Sequence, residues 1–287
     1  MVHIKDFVTN PPSNPFFGVI GHPIAQSKSP LLHNLALNYH RIVADYYKID
    51  TPSDSFAWVG KLVTLPGFRG LNVTIPHKSR VMDMLSFIDP KALQAGVVNT
   101  IKPEHLGFAG YNTDILGVER SILPHALLIT GRPALVFGSG GAAKAVVAAL
   151  KSCGITEAYI VSRKNTLSGW PSKLNGVTVH LADYLSLEEP LKNSSLVVNT
   201  TPLGMFPKTD DSPVPSKMVR LLKEKVCMDA IYNPQETLFL KQAKEAKALK
   251  TISGVTMFVE QAAASFKIWT GKDFPVDEAR TLLIKSL

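Results

Sequence analysis

The feature that most limits what this chain can fold into is a run of glycines between an apolar strand and an apolar helix. Ala134–Phe137 reads as a short buried strand, Gly138-Ser139-Gly140-Gly141-Ala142 follows at once, and Ala143–Leu150 continues as an Ala/Val-rich helix. A glycine motif alone is weak evidence. One that leaves a strand and opens a helix is the loop of a doubly wound nucleotide-binding domain. The third glycine of G-x-G-x-x-G would fall at Ala143, so the loop is a G-x-G-G-A variant. Glycines let the backbone approach a pyrophosphate, whose charge meets the N–H groups of the helix N-terminus. Ala158–Val161, Leu196–Asn199 and Val226–Ala230 read as the further parallel strands this domain needs.

The end of the next strand indicates which dinucleotide is bound. Domains that take NAD place Asp or Glu about 20 residues beyond the glycines, on the ribose 2′-hydroxyl. This chain has Ser162, Arg163 and Lys164 there, and no acid. An acid would repel a 2′-phosphate, whereas an arginine can pair with it through a forked, charge-assisted contact. The expected cofactor is NADP.

At 287 residues the chain exceeds one minimal core and fits two domains. Ahead of the glycine loop lies a second α/β region. Phe16–Gly21 is a buried strand, and Ser29 as N-cap with Pro30 at the first helical position starts a helix through Leu32, Leu35, Ala36 and Tyr39. Tyr46–Ile49 is a strand and Phe56–Leu65 a helix. Leu71, Val73 and Ile75 alternate with Asn72 and Thr74, giving a strand with one polar face, which Pro76 stops. His77–Leu85 is expected as a helix, and Val97–Ile101 and Phe108–Tyr111 complete the region. Met257–Leu287 is amphipathic and helical, and is expected to return to the first domain. The expected division is a substrate domain over 1–114, a Rossmann-type NADP domain over 115–254, and C-terminal helices over 255–287.

Composition narrows the classes of function. Hydrophobic content of 45% and charged content of 19% are those of a globular chain. Two cysteines build no disulfide framework, and no spacing among them and the eight histidines resembles a metal site. The first ten residues carry Lys5 and Asp6 and no apolar core of a secretory signal, and no apolar run is long enough for a membrane span. Cytoplasm is therefore the expected compartment. The net charge of +8 is scattered; its densest run, Lys241–Lys250, alternates with Glu and Ala like a solvated helix face. Nucleic acid is not expected, and an anionic small ligand accounts for the positive field. Oligomeric state is not written in the sequence, and a homodimer is compatible with all of this.

Polar residues also collect where the first region's strands end. Ser27 and Ser29 flank a helix start, Asn72 and Thr74 share one strand face, Lys78 follows at the expected start of the next helix, Asn99 closes another strand, and Asn112-Thr113-Asp114 precedes a further helix. Singly these are ordinary caps and turn residues. Together, Gly21-His-Pro-Ile-Ala-Gln-Ser27-Lys-Ser29-Pro30, Asn72-Val-Thr74-Ile-Pro-His-Lys78, Val98-Asn99-Thr100 and Asn112-Thr113-Asp114 form a pattern. With Asn199-Thr-Thr-Pro-Leu-Gly204-Met205, Asp229-Ala-Ile-Tyr232-Asn-Pro234 and Gly254-Val-Thr-Met257-Phe-Val-Glu-Gln261-Ala, it resembles the shikimate dehydrogenases in order and spacing. The resemblance runs from about Phe17 to Trp269.

The resemblance implies a role for each matching position. Ser27, Ser29 and Tyr232 would hold the substrate carboxylate. Thr74, Lys78, Asn99, Asp114 and Gln261 would bind the ring hydroxyls of shikimate or 3-dehydroshikimate. Lys78 and Asp114 would flank the hydroxyl that reacts, with Lys78 transferring the proton or polarising the carbonyl. Gly138, Ser139, Gly140, Gly141, Ala142, Ser162, Arg163, Lys164 and Gly254 would bind NADP, with Thr201 and Gly204 nearby and Met257 near the nicotinamide. The expected enzyme is an NADP-dependent oxidoreductase of aromatic amino-acid biosynthesis. The family pattern is broken in three places: Ile115 stands where Gly follows the Asn-Thr-Asp, Ser139 replaces Ala, and Ser162-Arg163-Lys164 replaces Asn-Arg-Thr. A quinate or quinate/shikimate dehydrogenase is the nearest alternative, against which both serines, Ser27 and Ser29, argue. A non-catalytic NADP-binding regulator is the alternative of another class, against which the intact Lys78, Asp114, Asn99 and Gln261 argue.

Overall fold

A computed structural model describes residues 1–162 and 169–287. Two compact units divide the chain, one of Met1–Thr113 with Gln261–Ser286, the other of Asp114–Glu260.

The first unit runs β1 (Val2–His3), α1 (Ile4–Thr9), β2 (Phe16–Gly21), α2 (Ser29–Tyr39), β3 (Asp45–Asp50), α3 (Trp58–Val63), β4 (Phe68–Val73), β5 (Phe87–Ile88), α4 (Pro90–Ala95), β6 (Thr100–Glu104) and β7 (Gly107–Tyr111). Its seven-stranded sheet has the order β1-β3-β2-β4-β6-β7-β5. Pairing is parallel from β1 to β4, antiparallel from β4 to β6 and from β6 to β7, and parallel again between β7 and β5. Every residue of β2 is buried, which is why it reads as a continuous apolar run rather than an alternating one. Phe16, Ile20, Ile49, Leu71 and Ile101 anchor the core on one side of the sheet.

The second unit carries α5 (Thr113–Ile122), whose first residue belongs to the first unit, then β8 (Ala134–Phe137), α6 (Gly141–Leu150), β9 (Glu157–Val161), β10 (Lys173–Leu174), β11 (Val177–Ala182), α7 (Glu188–Asn193), β12 (Leu196–Asn199), β13 (Val226–Asp229), α8 (Leu238–Glu245) and β14 (Lys250–Ile252). Its sheet order is β10-β11-β9-β8-β12-β13-β14. All pairs are parallel except the β10–β11 hairpin. Without β10 the order is the 3-2-1-4-5-6 of a doubly wound dinucleotide fold, which reverses between β8 and β12. The expected fold class is the observed one.

α9 (Gly254–Thr270) and α10 (Val276–Lys285) end the chain. α10 packs on α2. Lys28 Nζ donates to the Ser286 carbonyl at 2.9 Å, and Trp269 Nε1 donates to that of Ile101 at 2.9 Å. No helix among the described residues is long and apolar enough to cross a membrane.

Several local expectations need correction. Ser29 is the first residue of α2 and not its N-cap, which is Lys28. Ser27 takes the capping part, its Oγ accepting the Ser29 N–H at 3.3 Å. The strand expected to reach Ile75 stops at Val73, because Thr74 turns its carbonyl to the His77 N–H at 2.9 Å. His77–Leu85 is a turn followed by a 3-10 helix at Arg80–Met84. The Lys78 carbonyl, which an α-helix would have bonded to Met82, instead accepts the Val98 N–H at 2.8 Å. Lys78 thus sits in a turn. Asn99 does not close a strand but precedes β6, its side chain engaged with Thr113. α3 is shorter than Phe56–Leu65, α6 begins at Gly141 rather than Ala143, and β13 ends at Asp229 rather than Ala230.

Candidate active site

In the first unit the polar residues form one connected set. Ser27 Oγ donates to Ser29 Oγ at 3.2 Å, and the Ser29 hydroxyl bonds the phenol of Tyr46. Tyr46 is buried, which pushes its hydroxyl well above the usual phenol range, so it stays a donor. That hydroxyl donates to Asn72 Oδ1 at 2.7 Å. Asn72 Nδ2 in turn donates to the Asn99 carbonyl at 3.2 Å, to Thr100 Oγ1 at 3.1 Å and to Ser265 Oγ at 3.0 Å. A buried polar group without a partner is expensive; here each satisfies the next.

This network fixes the amide of Asn99. Its Oδ1 accepts the backbone N–H of Thr113 at 2.8 Å and the Thr100 hydroxyl at 2.9 Å, while Nδ2 donates to Thr113 Oγ1 at 3.0 Å. A backbone N–H can only donate, so the orientation of this amide is not free. Ser265 Oγ donates to the Gln261 carbonyl at 3.0 Å, which ties the turn of α9 that bears Gln261 to the same set. Thr74 continues from β4, its N–H donating to the Ile20 carbonyl at 2.9 Å. The loop bearing Ser27 is held to β3 by Lys48 Nζ on the Ala25 carbonyl at 2.8 Å and by His22 Nδ1 against Asp50 Oδ1 at 2.9 Å. Ser27, Ser29, Thr74, Lys78, Asn99 and Gln261 all belong to this unit; Asp114 and Tyr232 belong to the other.

In the second unit the site is mainly backbone. Gly138 follows β8 with φ +104, and a Cβ there would lie 2.5 Å from Thr200 Oγ1, so a side chain is excluded by conformation and by space. Gly140 is the N-cap of α6 and offers no side chain to cap it. A helix start that its own N-cap residue leaves uncapped is the arrangement that binds a pyrophosphate. Ser139 Oγ donates to Ser162 Oγ at 3.3 Å, linking the glycine loop to the end of β9. Arg163 and Lys164, expected at the 2′-phosphate, lie outside the described residues.

The loops after β12 and β13 share one carboxylate. Asp229 accepts from Asn199 Nδ2 at 3.1 Å, from the Ile231 N–H at 2.9 Å and from Thr237 Oγ1 at 2.7 Å. Burial nonetheless pushes its carboxyl up to about 6. Asn199 Oδ1 takes the Thr201 N–H at 3.0 Å and its hydroxyl at 2.7 Å, which places Thr201 and the loop to Gly204 beside the switch point. Gly254 opens α9 against the following loop: a Cβ there would come within 2.4 Å of the Ile231 carbonyl oxygen. Tyr232 stacks on Phe258 at 4.2 Å, Met257 is buried, and so is Asp114, near the start of α5. Ile115 is 1% exposed, so the departure from the family pattern adds an apolar contact to α5.

Sequence reasoning passed over Tyr46, Thr100, Thr113 and Ser265 as supports of the substrate side, and Asn199, Asp229 and Thr237 as supports of the cofactor side. A signal was available for Asn199 and Asp229, polar residues at the carboxyl ends of buried strands. Ser265 gave none, lying mid-helix in an apolar stretch. Among the described residues no cluster of His, Cys, Asp and Glu could hold a metal.

Comparison with known proteins agrees with both halves. The family model described as shikimate dehydrogenase substrate binding domain matches residues 19–101, and that described as shikimate 5'-dehydrogenase C-terminal domain matches residues 254–284. A shikimate dehydrogenase (NADP(+)) of Methanococcus maripaludis is 38% identical over 257 residues, 88% of this chain and 91% of the relative. Among solved structures, the shikimate 5-dehydrogenase of Thermus thermophilus in complex with NADP(H) and shikimate is 29% identical, with a TM-score of 0.81 over 95% of this chain and 99% of that one. The quinate dehydrogenase of Corynebacterium glutamicum in complex with NAD is 27% identical, with a TM-score of 0.84 over 95% and 99%. On its identity to these relatives over nearly their whole length, the chain belongs to the shikimate dehydrogenase family.

Proposed function

We propose that this chain reversibly reduces 3-dehydroshikimate to shikimate with NADPH, in aromatic amino-acid biosynthesis, and that Lys78 and Asp114 manage the proton. The observation that carries the reading is family membership together with an intact set of Lys78, Asp114, Asn99 and Gln261. The domains in this reading are 1–114 for substrate, 115–254 for NADP, and 255–287 as helices packed on the substrate domain.

NADPH, when bound, supplies the hydride to the carbonyl carbon. This chain's residues do the remainder. As the carbonyl oxygen gains the electron pair, Lys78 Nζ donates a proton or a hydrogen bond to it, and Asp114 orients both partners; in the reverse direction the hydroxyl proton returns to Lys78. Ser27, Ser29 and Tyr232 hold the carboxylate, and Thr74, Asn99 and Gln261 hold the other hydroxyls. The glycine-led start of α6 and the Gly138 turn fit a pyrophosphate, with Ser162, Arg163 and Lys164 toward the 2′-phosphate, Thr201, Gly204 and Gly254 near the cofactor, and Met257 near the nicotinamide.

Absorbance of the reduced nicotinamide, with shikimate and quinate each against NADP and NAD, tests this directly. Turnover should be fastest with shikimate and NADP. Lys78→Ala and Asp114→Ala should each lower kcat roughly a thousandfold, the size of a general acid–base contribution, while NADPH binding is kept. Preference for quinate would refute the reading of Ser27 and Ser29, and NADPH binding without any turnover would favour the regulator. A homodimer in the cytoplasm belongs to the same reading, and light scattering on the purified chain checks the first part.

A further inference from the structure

The residues after β9 carry a tryptophan to which the NADP reading gives no role. Trp170 Nε1 donates to the carbonyl of Ser139 at 3.0 Å, and Ser139 Oγ reaches Ser162 Oγ at 3.3 Å. Ser139 lies inside the glycine loop and Ser162 just after β9. In a doubly wound domain the first meets the pyrophosphate and the second the ribose of the adenosine half. The indole is therefore tethered by its polar edge beside the place where adenosine would lie. An aromatic ring fixed at its edge keeps a face for a flat partner, and bases stack on such faces whatever their identity. Trp170 is half-buried, not sealed in the core. A tryptophan whose task was only to fill that core would not need a carbonyl of the phosphate-facing loop as its partner.

We propose that Trp170 is a binding residue of the dinucleotide site, contacting the adenosine half of NADP(H) and holding the glycine loop through the Ser139 carbonyl. The inference rests on the NADP reading above, but it is tested with a ligand that contains no nicotinamide. The probe is 2′,5′-ADP, added to the full chain. Of the three tryptophans, Trp58 and Trp269 lie in the first unit and Trp170 in the second. In the parent protein, 2′,5′-ADP should change indole emission. In Trp170→Phe that response should vanish while the emission of the other two remains. By calorimetry, Trp170→Ala should weaken 2′,5′-ADP and NADPH by roughly tenfold or more, the size of one lost base–aromatic stack, with shikimate affinity and the thermal midpoint near those of the parent. Unchanged 2′,5′-ADP affinity in Trp170→Ala, or parent emission that ignores saturating 2′,5′-ADP, overturns the proposal and leaves the NADP reading standing. If the parent binds neither NADPH nor 2′,5′-ADP, both fall together. The emission test on the parent does not depend on either variant folding.

Discussion

In the second unit the groups proposed for the site are mostly main chain: the Gly138 turn, the start of α6 after Gly140, and loops hung from Asp229. In the first they are side chains, and the Tyr46–Asn72–Ser265 network ties α2, β4, the residues before β6, and α9 together. A backbone site tolerates many side chains but not the loss of a glycine. A side-chain site tolerates change at its backbone but not the loss of a linking amide. The comparison predicts different failures in the two units.

The largest effect on cofactor binding is expected at Gly138. Its φ of +104 and the 2.5 Å approach of Thr200 Oγ1 leave no room for a methyl group. Gly138→Ala should weaken NADPH by more than tenfold and lower stability by about 2 kcal/mol through backbone strain and displacement of Thr200. Shikimate affinity, measured by calorimetry, should stay near that of the parent. Equal damage to both ligands would break the comparison.

The same contrast explains what the sequence makes legible. The glycine loop, β8 and β12 can be read directly because strand, turn and helix are contiguous, so local periodicity carries the information. β12 is found residue for residue. The 3-10 turn at Arg80–Met84 is hidden because its cause is distant: Val98 takes the Lys78 carbonyl. Ser29 looks like a cap because Ser-Pro opens helices, yet its neighbour Ser27 does that work and its own hydroxyl faces Tyr46. Lys78, Asn99 and Gln261 become site candidates only by resemblance, since nothing local distinguishes them from ordinary cap and turn residues. Ser265 and Thr113 are structural partners of those residues, and a partner 152 positions away in the chain leaves no local trace.

Asn72→Leu sharpens the side-chain half. It would strip partners from Tyr46, Thr100, Ser265 and the Asn99 carbonyl together. Stranded buried groups cost about 1–3 kcal/mol each before relaxation, so a loss of roughly 3 kcal/mol in urea unfolding is expected, with a raised KM for shikimate and an unchanged KM for NADPH. A variant as stable as the parent would mean that the network is incidental to the fold.

The smallest effect, and the one that separates the units most cleanly, is their opposite response to acid. His33 is buried, stacked on Tyr46 at 4.4 Å, and neither ring nitrogen has a hydrogen-bond partner among the described residues. Burial lowers it from 6.5 to about 3. Between those values the unfolded chain binds a proton that the folded one does not, so its contribution is complete above pH 6.5 and is lost as pH falls. The slope is about 1.4 kcal/mol per pH unit. Asp229 has the reverse sign. Its folded value of about 6 lies above the unfolded 3.8, so the fold gains protons as pH drops through that window and the second unit is strengthened. Hydrogen exchange resolved by peptide, at pH 7 and pH 5, should show β2, β3 and β4 opening more readily at the lower pH and β12 and β13 less readily. His33→Phe should remove the first change and leave the second, and Asp229→Asn the converse. If both units weaken in parallel and neither variant alters the slope, the two sites are not buried against water in the different ways described here.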